Sequence, residues 1–399
     1  MTQFPILHRR AALSLLAAVL CPPGLRAAPD GAALERFLAR ARAAASEAGI
    51  ARETVDRETA GLTLDPALLA RAAAQGEFSL TPRAYLARLV DGRVAAGQAR
   101  LARERAALDA VERRFGVPRE IVAALWGLES GYGAAQGDHD VLRSLATLGA
   151  AQPERALFET EFVAALAILD RGEATRARLL GSWAGAMGQP QFMPSSYLRH
   201  ATPLSGDGPP DIWRSAGDSL ASIGNFMRGS GWVQGLPAVI EVKIPSAFDW
   251  APTDLDLAQW RALGFAPARG GILPQGGQAN LFLPAGANGP ALLLTANFEA
   301  IRAYNTSDAY ALAVFVLAER IAGRPGLVTP WPADEGALGG SGRREVQERL
   351  LAAGHYRGAV DGRLGRATRL AVHAFQIASG VRPADGFASA ALLDRLRVR

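Results

Sequence analysis

The chain has 399 residues, of which 20% are charged and 49% hydrophobic, a composition that excludes wholesale disorder and fits two or three globular domains. Its formal net charge of +5 is uneven, because residues 1–27 carry +3, residues 343–399 carry +6 and the residues between them carry −4. An acidic main body argues against nucleic-acid binding. The single cysteine, Cys21, excludes disulfides and thiol catalysis in the rest of the chain. The five histidines are scattered, which argues against a histidine-rich metal site.

The N-terminus has the parts of a secretory signal peptide. Arg9 and Arg10 precede the apolar stretch 11–20, and small residues follow at Ala27 and Ala28. This order predicts a signal peptide over residues 1–28 and a periplasmic mature protein. The bulky Leu20 in front of Cys21 argues against a lipid anchor at that cysteine.

The next segments are predicted mainly as helices. Residues 30–115 are rich in Ala, Leu, Arg and Glu, and one long helical pattern runs through 85–90 and 95–115. Further helices are predicted, in chain order, at residues 119–130, 153–170, 218–229, 298–304 and 307–322. Between them, short apolar runs bounded by Gly and Pro predict the strands of a small sheet at residues 237–245, 279–284 and 291–295.

The C-terminal part is predicted as a separate unit. Residues 326–342 are dense in Pro and Gly and predict a linker. Helical patterns then recur at 345–352, 367–378 and 388–396, which indicates a compact three-helix unit over 343–399. The expected organisation is therefore a signal peptide (1–28), a main domain (29–325), a linker (326–342) and a C-terminal domain (343–399).

The most informative acid is Glu129. Ile121, Leu125 and Leu128 form an apolar stripe on the predicted helix, and Glu129 lies beside it near the helix end. Burial and the negative end of the helix dipole would both raise the pKa of this carboxyl, as a general acid needs. A glutamate that only flanks the stripe and reaches into water is the alternative, and the stretch by itself leaves the two open.

Two further stretches combine aromatic, amide and hydroxyl side chains. Residues 181–197 alternate Gly and Pro with Ser182, Gln191 and aromatic residues, a pattern that suits contact with a sugar polymer. In residues 304–310, Tyr304, Asn305 and Tyr310 are candidates for lining a cleft. A polar loop in the first stretch, and helix capping by Ser307 or Asp308 with packing of Tyr310 in the second, are the structural alternatives.

Together these stretches resemble the B-type lytic transglycosylases, a family of murein-cleaving enzymes. The matching segments are Leu125-Trp-Gly-Leu-Glu-Ser-Gly-Tyr-Gly133, Gly185-Ala-Met-Gly188, Gln191-Phe-Met-Pro-Ser-Ser-Tyr197, Asp211-Ile-Trp213 and the Tyr304-Asn-x-Ser-x-x-Tyr310 pattern. The resemblance implies an α+β, mainly α fold with a lysozyme-like helical catalytic domain and a small β subdomain. It implies that Glu129 is the catalytic acid/base and that the substrate groove is lined by Ser182, Gln191, Tyr304, Asn305, Tyr310 and Arg155.

The C-terminal unit resembles the peptidoglycan-binding domain 1 family. It shares Val346-Gln-x-x-Leu350, Asp361-Gly-x-x-Gly365, Phe375-Gln376 and Asp385-Gly386 with that family. Some relatives of the catalytic domain bind calcium in a loop matching residues 203–214, but Pro203 and Arg214 stand here where carboxylates are needed. We therefore expect no metal ion and no cofactor.

The resemblance implies non-hydrolytic cleavage of the bond between N-acetylmuramic acid and N-acetylglucosamine, which leaves a 1,6-anhydro end. Asp138 and Asp140 stay open as second carboxylates of a two-carboxylate mechanism. A lysozyme-type muramidase and a non-catalytic wall-binding scaffold are the competing functions. Expected partners are peptidoglycan glycan strands and other cell-wall enzymes, with no nucleic acid, and a monomeric state.

Overall fold

The computed structural model describes residues 30–73, 80–333, 336 and 338–398, so the predicted signal peptide lies outside the described residues. The described chain forms two compact units. The first contains residues 30–73 and 93–229, and the second contains residues 80–92 and 230–398. None of the helices in these described ranges is long and apolar enough to cross a membrane.

Helices dominate the chain up to residue 229. In chain order they are α1 (Gly31–Glu47), α2 (Arg52–Thr59), α3 (Pro66–Ala73), α4 (Pro82–Val90), α5 (Val94–Arg103), α6 (Arg105–Phe115), α7 (Arg119–Ser130), α8 (Val141–Ala151), α9 (Ala156–Asp170), α10 (Pro194–His200) and α11 (Ala216–Gly229). All but α4 belong to the first unit. A two-stranded antiparallel pair, β1 (His139–Asp140) and β2 (Leu180–Gly181), lies in the same unit.

The predicted helices over 119–130, 153–170 and 218–229 are confirmed, with ends that differ by a few residues. The prediction of one long helical pattern through residues 85–115 is wrong. A 3-10 turn over Asp91–Arg93 follows α4, and a second break at Glu104 separates α5 from α6. Gly92 lies in the first break and has poor helix propensity, about 1 kcal/mol worse than Ala. The spacing of apolar residues is the same on both sides of such a break, so it does not predict one.

The core of the first unit is built around α1, α8 and α9. The rings of Phe37 and Phe162 meet edge to face, with centroids 5.3 Å apart. Gly149 on α8 permits this approach, since a Cβ there would lie 2.2 Å from the Phe37 ring. The close contact of backbone with aromatic ring explains why the helices can pack so tightly.

The second unit contains a five-stranded antiparallel sheet with the order β4-β6-β7-β3-β5. Its strands are β3 (Val239–Lys243), β4 (Asp254–Asp256), β5 (Ala266–Pro267), β6 (Gln278–Phe282) and β7 (Ala291–Thr295), with α12 (Leu257–Ala262) after β4. The three predicted strands are confirmed as β3, β6 and β7, whereas the short β4 and β5 were not predicted. The helices α13 (Ala296–Tyr304) and α14 (Asp308–Ile321) follow, close to their predicted positions.

The C-terminal part of the second unit has the three predicted helices, α15 (Gly340–Ala352), α16 (Arg366–Ala378) and α17 (Ala390–Arg397). Two buried glutamines fix its two Asp-Gly turns in the same way. The Gln347 amide donates to Asp361 Oδ1 (3.1 Å) and accepts from the Gly362 N–H (2.7 Å). On α16, Gln376 holds the second turn in the same way. Its amide donates to Asp385 Oδ1 and accepts from the Gly386 N–H, both at 2.8 Å.

Polar contacts join this three-helix unit to the sheet region within the second unit. Arg366 Nη2 lies 2.6 Å from Asp254 Oδ2, and His373 Nε2 lies 2.6 Å from the Trp250 carbonyl oxygen. Asp385 Oδ2 accepts a hydrogen bond from the Ala287 N–H (3.1 Å). The three-helix unit is therefore docked on the sheet region by specific side chains.

The start of the predicted linker is also held. The buried Glu241 on β3 accepts hydrogen bonds from the N–H groups of Val328 (2.8 Å) and Thr329 (2.7 Å). Both carboxylate oxygens are used, so these residues are fixed to the sheet.

Candidate active site

The candidate catalytic residue Glu129 lies in the last turn of α7. Every residue of this helix from Ile121 to Ser130 is buried, and Glu129 is only 4% exposed. The interpretation of Glu129 as a residue that reaches into bulk water is thereby excluded. Its carboxyl group is held in the protein interior, in the last turn of the helix.

The end of α7 has a defined geometry. Gly131 has a left-handed φ of 60° and donates to the Gly127 carbonyl (3.1 Å), while the Tyr132 N–H donates to the Trp126 carbonyl (3.3 Å). The Gly131 bond is that of an αL cap, and the helix ends at Ser130, one residue after Glu129. The helix end thus fixes the backbone that presents the carboxyl group.

Tyr132 packs back against the same helix. Its φ is 61°, which is unusual for a tyrosine, and its ring meets Trp126 edge to face at 5.5 Å. Its hydroxyl donates to the Arg93 carbonyl (3.1 Å). A Cβ on Gly127 would lie 2.5 Å from Tyr132 Cζ, so only glycine leaves room for the ring.

A glutamine side chain ties α7 to two loops. Trp126 Nε1 donates to Gln189 Oε1 (2.9 Å), and Gln189 Nε2 donates to the Trp213 carbonyl (3.3 Å). Gly133 abuts the same amide, because a Cβ there would lie 2.7 Å from Gln189 Oε1. These bonds hold the segments that surround the end of α7 in one arrangement.

The structure places Ser182 and Gln191 in the same unit as Glu129, both buried in the loop after β2. Ser182 Oγ accepts a hydrogen bond from the Ala186 N–H (3.1 Å). Gln191, with a φ of 53°, donates from Nε2 to the carbonyls of Gln136 (2.9 Å) and Gly188 (2.8 Å). Both predicted substrate residues therefore hold loop backbone, and their contact with substrate stays a prediction.

Arg155 also belongs to the first unit, at the residue before α9. It donates to Gln152 Oε1 (3.2 Å) and stacks over the Phe158 ring, 5.2 Å from its centroid. These contacts fix the orientation of the guanidinium.

The other three predicted substrate residues lie in the second unit. Tyr304 ends α13, Asn305 is 6% exposed and accepts the Ser307 N–H on Oδ1 (3.1 Å), and Tyr310 is 1% exposed. The helix cap is Ser307, whose hydroxyl accepts from the Tyr310 N–H (3.3 Å). Asp308 is instead paired with arginines, Arg302 at 2.7 Å among them.

The first unit contains a second buried carboxyl group, Glu161 on α9. It accepts from the N–H (2.8 Å) and the hydroxyl (2.7 Å) of Ser195, at the start of α10. Burial raises the pKa of Glu161, and the Ser195 hydrogen bonds oppose that shift. Glu161 was not singled out in the sequence, since its apolar neighbours on α9 indicate only a buried helix face.

Asp140, one of the two acids left open as second carboxylates, and Asp218, an acid that contacts the loop 203–214, both have other partners. Asp140 caps α8 through Oδ1 and pairs with Arg176 through Oδ2 (2.7 Å). Asp218 accepts hydrogen bonds from the N–H groups of Leu204 (3.1 Å) and Asp211 (2.9 Å) and so shapes the loop that matches the calcium loop of some relatives. Within the described ranges no three His, Cys, Asp or Glu side chains are grouped as a metal site.

Comparison with known proteins gives two family matches. Residues 33–319 match the transglycosylase SLT domain family, and residues 339–396 match a family of peptidoglycan-binding domains. The chain is 33% identical over 222 residues to membrane-bound lytic murein transglycosylase B of Escherichia coli K12. That match covers 54% of this chain and 60% of the relative, so it spans less than two thirds of the relative's length.

Solved structures match over more of the chain. The fold superposes on SltB3 of Pseudomonas aeruginosa, in complex with NAG-anhNAM-pentapeptide, with a TM-score of 0.82 and 43% identity, covering 91% of this chain and 99% of that one. It also matches the Escherichia coli lytic transglycosylase Slt35 in complex with calcium, with a TM-score of 0.61 and 27% identity over 79% and 98% of the two chains. The chain thus belongs to the transglycosylase SLT domain family and ends in a peptidoglycan-binding domain.

Proposed function

We propose that this chain is a lytic transglycosylase that cleaves the MurNAc-β-1,4-GlcNAc bond of peptidoglycan without water and leaves 1,6-anhydro-MurNAc ends. The observation that carries the proposal is the burial of Glu129 in the last turn of α7, inside the segment that resembles the catalytic motif of the family. A carboxylic acid at this position can donate a proton to the leaving oxygen as a general acid.

The chemistry needs one protein carboxylate. Glu129 protonates the glycosidic oxygen, and the 2-acetamido group of the substrate stabilises the developing cation. The Glu129 carboxylate then takes the proton of the C6 hydroxyl of the muramic acid, whose oxygen closes on C1. The engagement of Asp140 with Arg176 and with the start of α8 supports this one-carboxylate reaction over a two-carboxylate one.

The residues proposed to contact the substrate are those that the family motifs indicate. Support comes from the family motifs and from the fixed positions of these side chains within each unit. The proposed groove residues are Ser182, Gln191, Arg155, Tyr304, Asn305 and Tyr310.

We further propose that the protein is exported to the periplasm with removal of residues 1–28, and that residues 343–399 hold it on the wall after the linker 326–342. The catalytic domain is assigned to 29–325. Glycan strands are the binding partner, other cell-wall enzymes are candidate partners, and a monomer is expected. The basic charge of the C-terminal domain suits a wall polymer that bears carboxylates.

Mass spectrometry of purified sacculi digested by the mature protein tests the reaction. The comparison uses Glu129→Gln, which keeps the shape of the side chain but loses its proton, and Glu120→Gln at the start of the same helix as the matched control. We expect anhydro-muropeptides from the wild type and from Glu120→Gln, and a rate at least about 100-fold lower for Glu129→Gln.

Other products would replace the proposal. Reducing-end muropeptides, heavier by one water, would make the protein a muramidase with the same acid. Wall binding without any soluble product from wild type or variants would make it a scaffold. Full activity of Glu129→Gln would refute the assignment of the acid.

A further inference from the structure

An open groove of about 630 Å³ lies on the first unit beside the loop that follows α7. Its lining includes the apolar side chains of Leu180 and Trp213 and the two arginines Arg178 and Arg214. The loop after α7 also lines it, with Gly133, Ala134, Gln136 and Gly137. This volume is in the range of small-ligand sites. The groove begins four residues beyond Glu129, at Gly133, which places it next to the helix end that carries the candidate acid.

The groove is positively charged. Its lining includes two arginines and no acidic residue. Arg178 Nη1 and Arg214 Nε lie 3.6 Å and 3.3 Å from the same oxygen, Oδ2 of Asp211. Their side chains are 36% and 67% exposed. Two guanidinium groups thus share one carboxylate, which leaves a net positive charge and N–H donors for a further anion.

Hydrogen bonds hold the arginine and tryptophan residues that line the groove in fixed positions. Oδ1 of Asp211 accepts hydrogen bonds from the N–H groups of Trp213 (3.2 Å) and Arg214 (3.0 Å). The Trp213 indole donates to the Leu180 carbonyl (3.0 Å), which joins the loop to β2. Gln136 Nε2 donates to the Trp213 carbonyl (3.0 Å) and joins the loop after α7 to the same tryptophan. A site ordered before the ligand arrives loses less entropy on binding.

We propose that this groove binds a carboxylate of the peptide stem attached to muramic acid, with Arg178 and Arg214 as the ligand-binding residues. The inference rests on the proposed function, since the stem is the carboxylate-bearing branch of a glycan that reaches Glu129. Leu180 and Trp213 give a peptide an apolar surface to lie on, and the arginine pair selects acidic stems. The groove therefore determines which stems the enzyme accepts.

Direct binding tests the site without catalysis. The probes are a synthetic acidic stem pentapeptide and the same peptide with its carboxylates converted to carboxamides, titrated by calorimetry into the full mature chain. The variants are Arg178→Gln/Arg214→Gln and, as a control, Arg228→Gln, an exposed arginine of the same unit. We expect at least about tenfold weaker binding of the amidated peptide, and of the acidic peptide to the double variant, with wild-type affinity in the control.

A second arm follows cleavage of soluble glycan strands with acidic or amidated stems. The proposal predicts that kcat/KM of the wild type favours acidic stems and that the double variant loses this preference while still cleaving amidated strands. Equal binding of both peptides by the wild type, or an unchanged preference in a double variant with wild-type circular dichroism and Tm, would overturn the groove assignment. Binding of the acidic peptide with reducing-end products, or with none, would refute the proposed reaction and leave the groove assignment standing.

Discussion

Arg369 on α16 is one of the residues that dock the C-terminal domain on the rest of the second unit. Its guanidinium pairs with Asp308 at the start of α14 and stacks over the Phe282 ring of β6, 4.4 Å from the centroid. The two charged side chains are only 18% and 12% exposed. We predict that Arg369→Ala loosens the docking of this domain.

The magnitude follows from these contacts. A partly desolvated cation–π contact contributes about 1–2 kcal/mol, and a hydrogen bond between charged groups contributes about 1.5–3 kcal/mol. Asp308 keeps Arg302 as a partner, so the variant leaves no unpaired buried carboxylate. The two contributions together give a loss of about 2.5–5 kcal/mol, which lowers the ratio of docked to released domain by a factor between about 60 and about 4,000.

Limited proteolysis with a protease of broad specificity measures this ratio when opening and closing are faster than cleavage. Glu241 keeps residues 328 and 329 on the sheet and α15 begins at Gly340, so cleavage in Arg369→Ala is expected within residues 330–339. Arg395→Ala, an exposed arginine on α17, is the matched control. A cleavage rate of Arg369→Ala equal to that of wild type and control would refute the reasoning, because the contact would then contribute nothing to docking.

Two further predictions concern the first unit. Gly127→Ala forces a methyl group against the Tyr132 ring. We therefore expect the free energy of unfolding, measured in urea, to fall by about 1–3 kcal/mol, and murein cleavage, measured by muropeptide release, to fall as well. Wild-type values for both would contradict the packing argument. Burial raises the pKa of Glu161 from its usual 4.5, so its folded state binds a proton more tightly than the unfolded state. The stability advantage of wild type over Glu161→Gln should therefore be largest below about pH 4.5 and decline as pH rises through the raised pKa, and an advantage that stays constant or grows across urea titrations at increasing pH would contradict it.

The periodic parts of the fold could be predicted from the sequence. The stripe of α7 and the apolar runs of β3, β6 and β7 carry enough pattern to identify them. The short β4 and β5 carry too little, since three and two residues cannot show an alternation. The docking of the C-terminal domain was also beyond the sequence, because Arg369 meets Phe282 and Asp308 only through the folded chain.

The candidate site shows the same division. The position of Glu129 beside an apolar stripe indicated a carboxyl that could be buried, and the structure places it in the interior. Tyr132 was missed as a positioning residue, because its partner Arg93 is distant in the sequence. The signal that pointed to it was Gly131 before it, a residue suited to the left-handed end of a helix.

For glutamine, the role predicted from the sequence differs from the hydrogen bonds seen in the structure. Beside glycines and aromatic residues, an amide is typical of a sugar-binding loop, and Gln191 was chosen on that basis. In the fold its Nε2 donates to two backbone carbonyls, while Gln189 joins Trp126 to the Trp213 carbonyl. Gln347 makes the same kind of clamp far from Glu129 in sequence. A buried amide satisfies an N–H and a C=O of two segments at once, which an apolar side chain cannot do.

Substitution of Gln191 will therefore change the shape of the loop as well as any contact with sugar, so both activity and Tm have to be measured to separate the two roles. Loss of activity at unchanged Tm would assign Gln191 to the substrate, whereas parallel losses of Tm and activity would assign it to the loop.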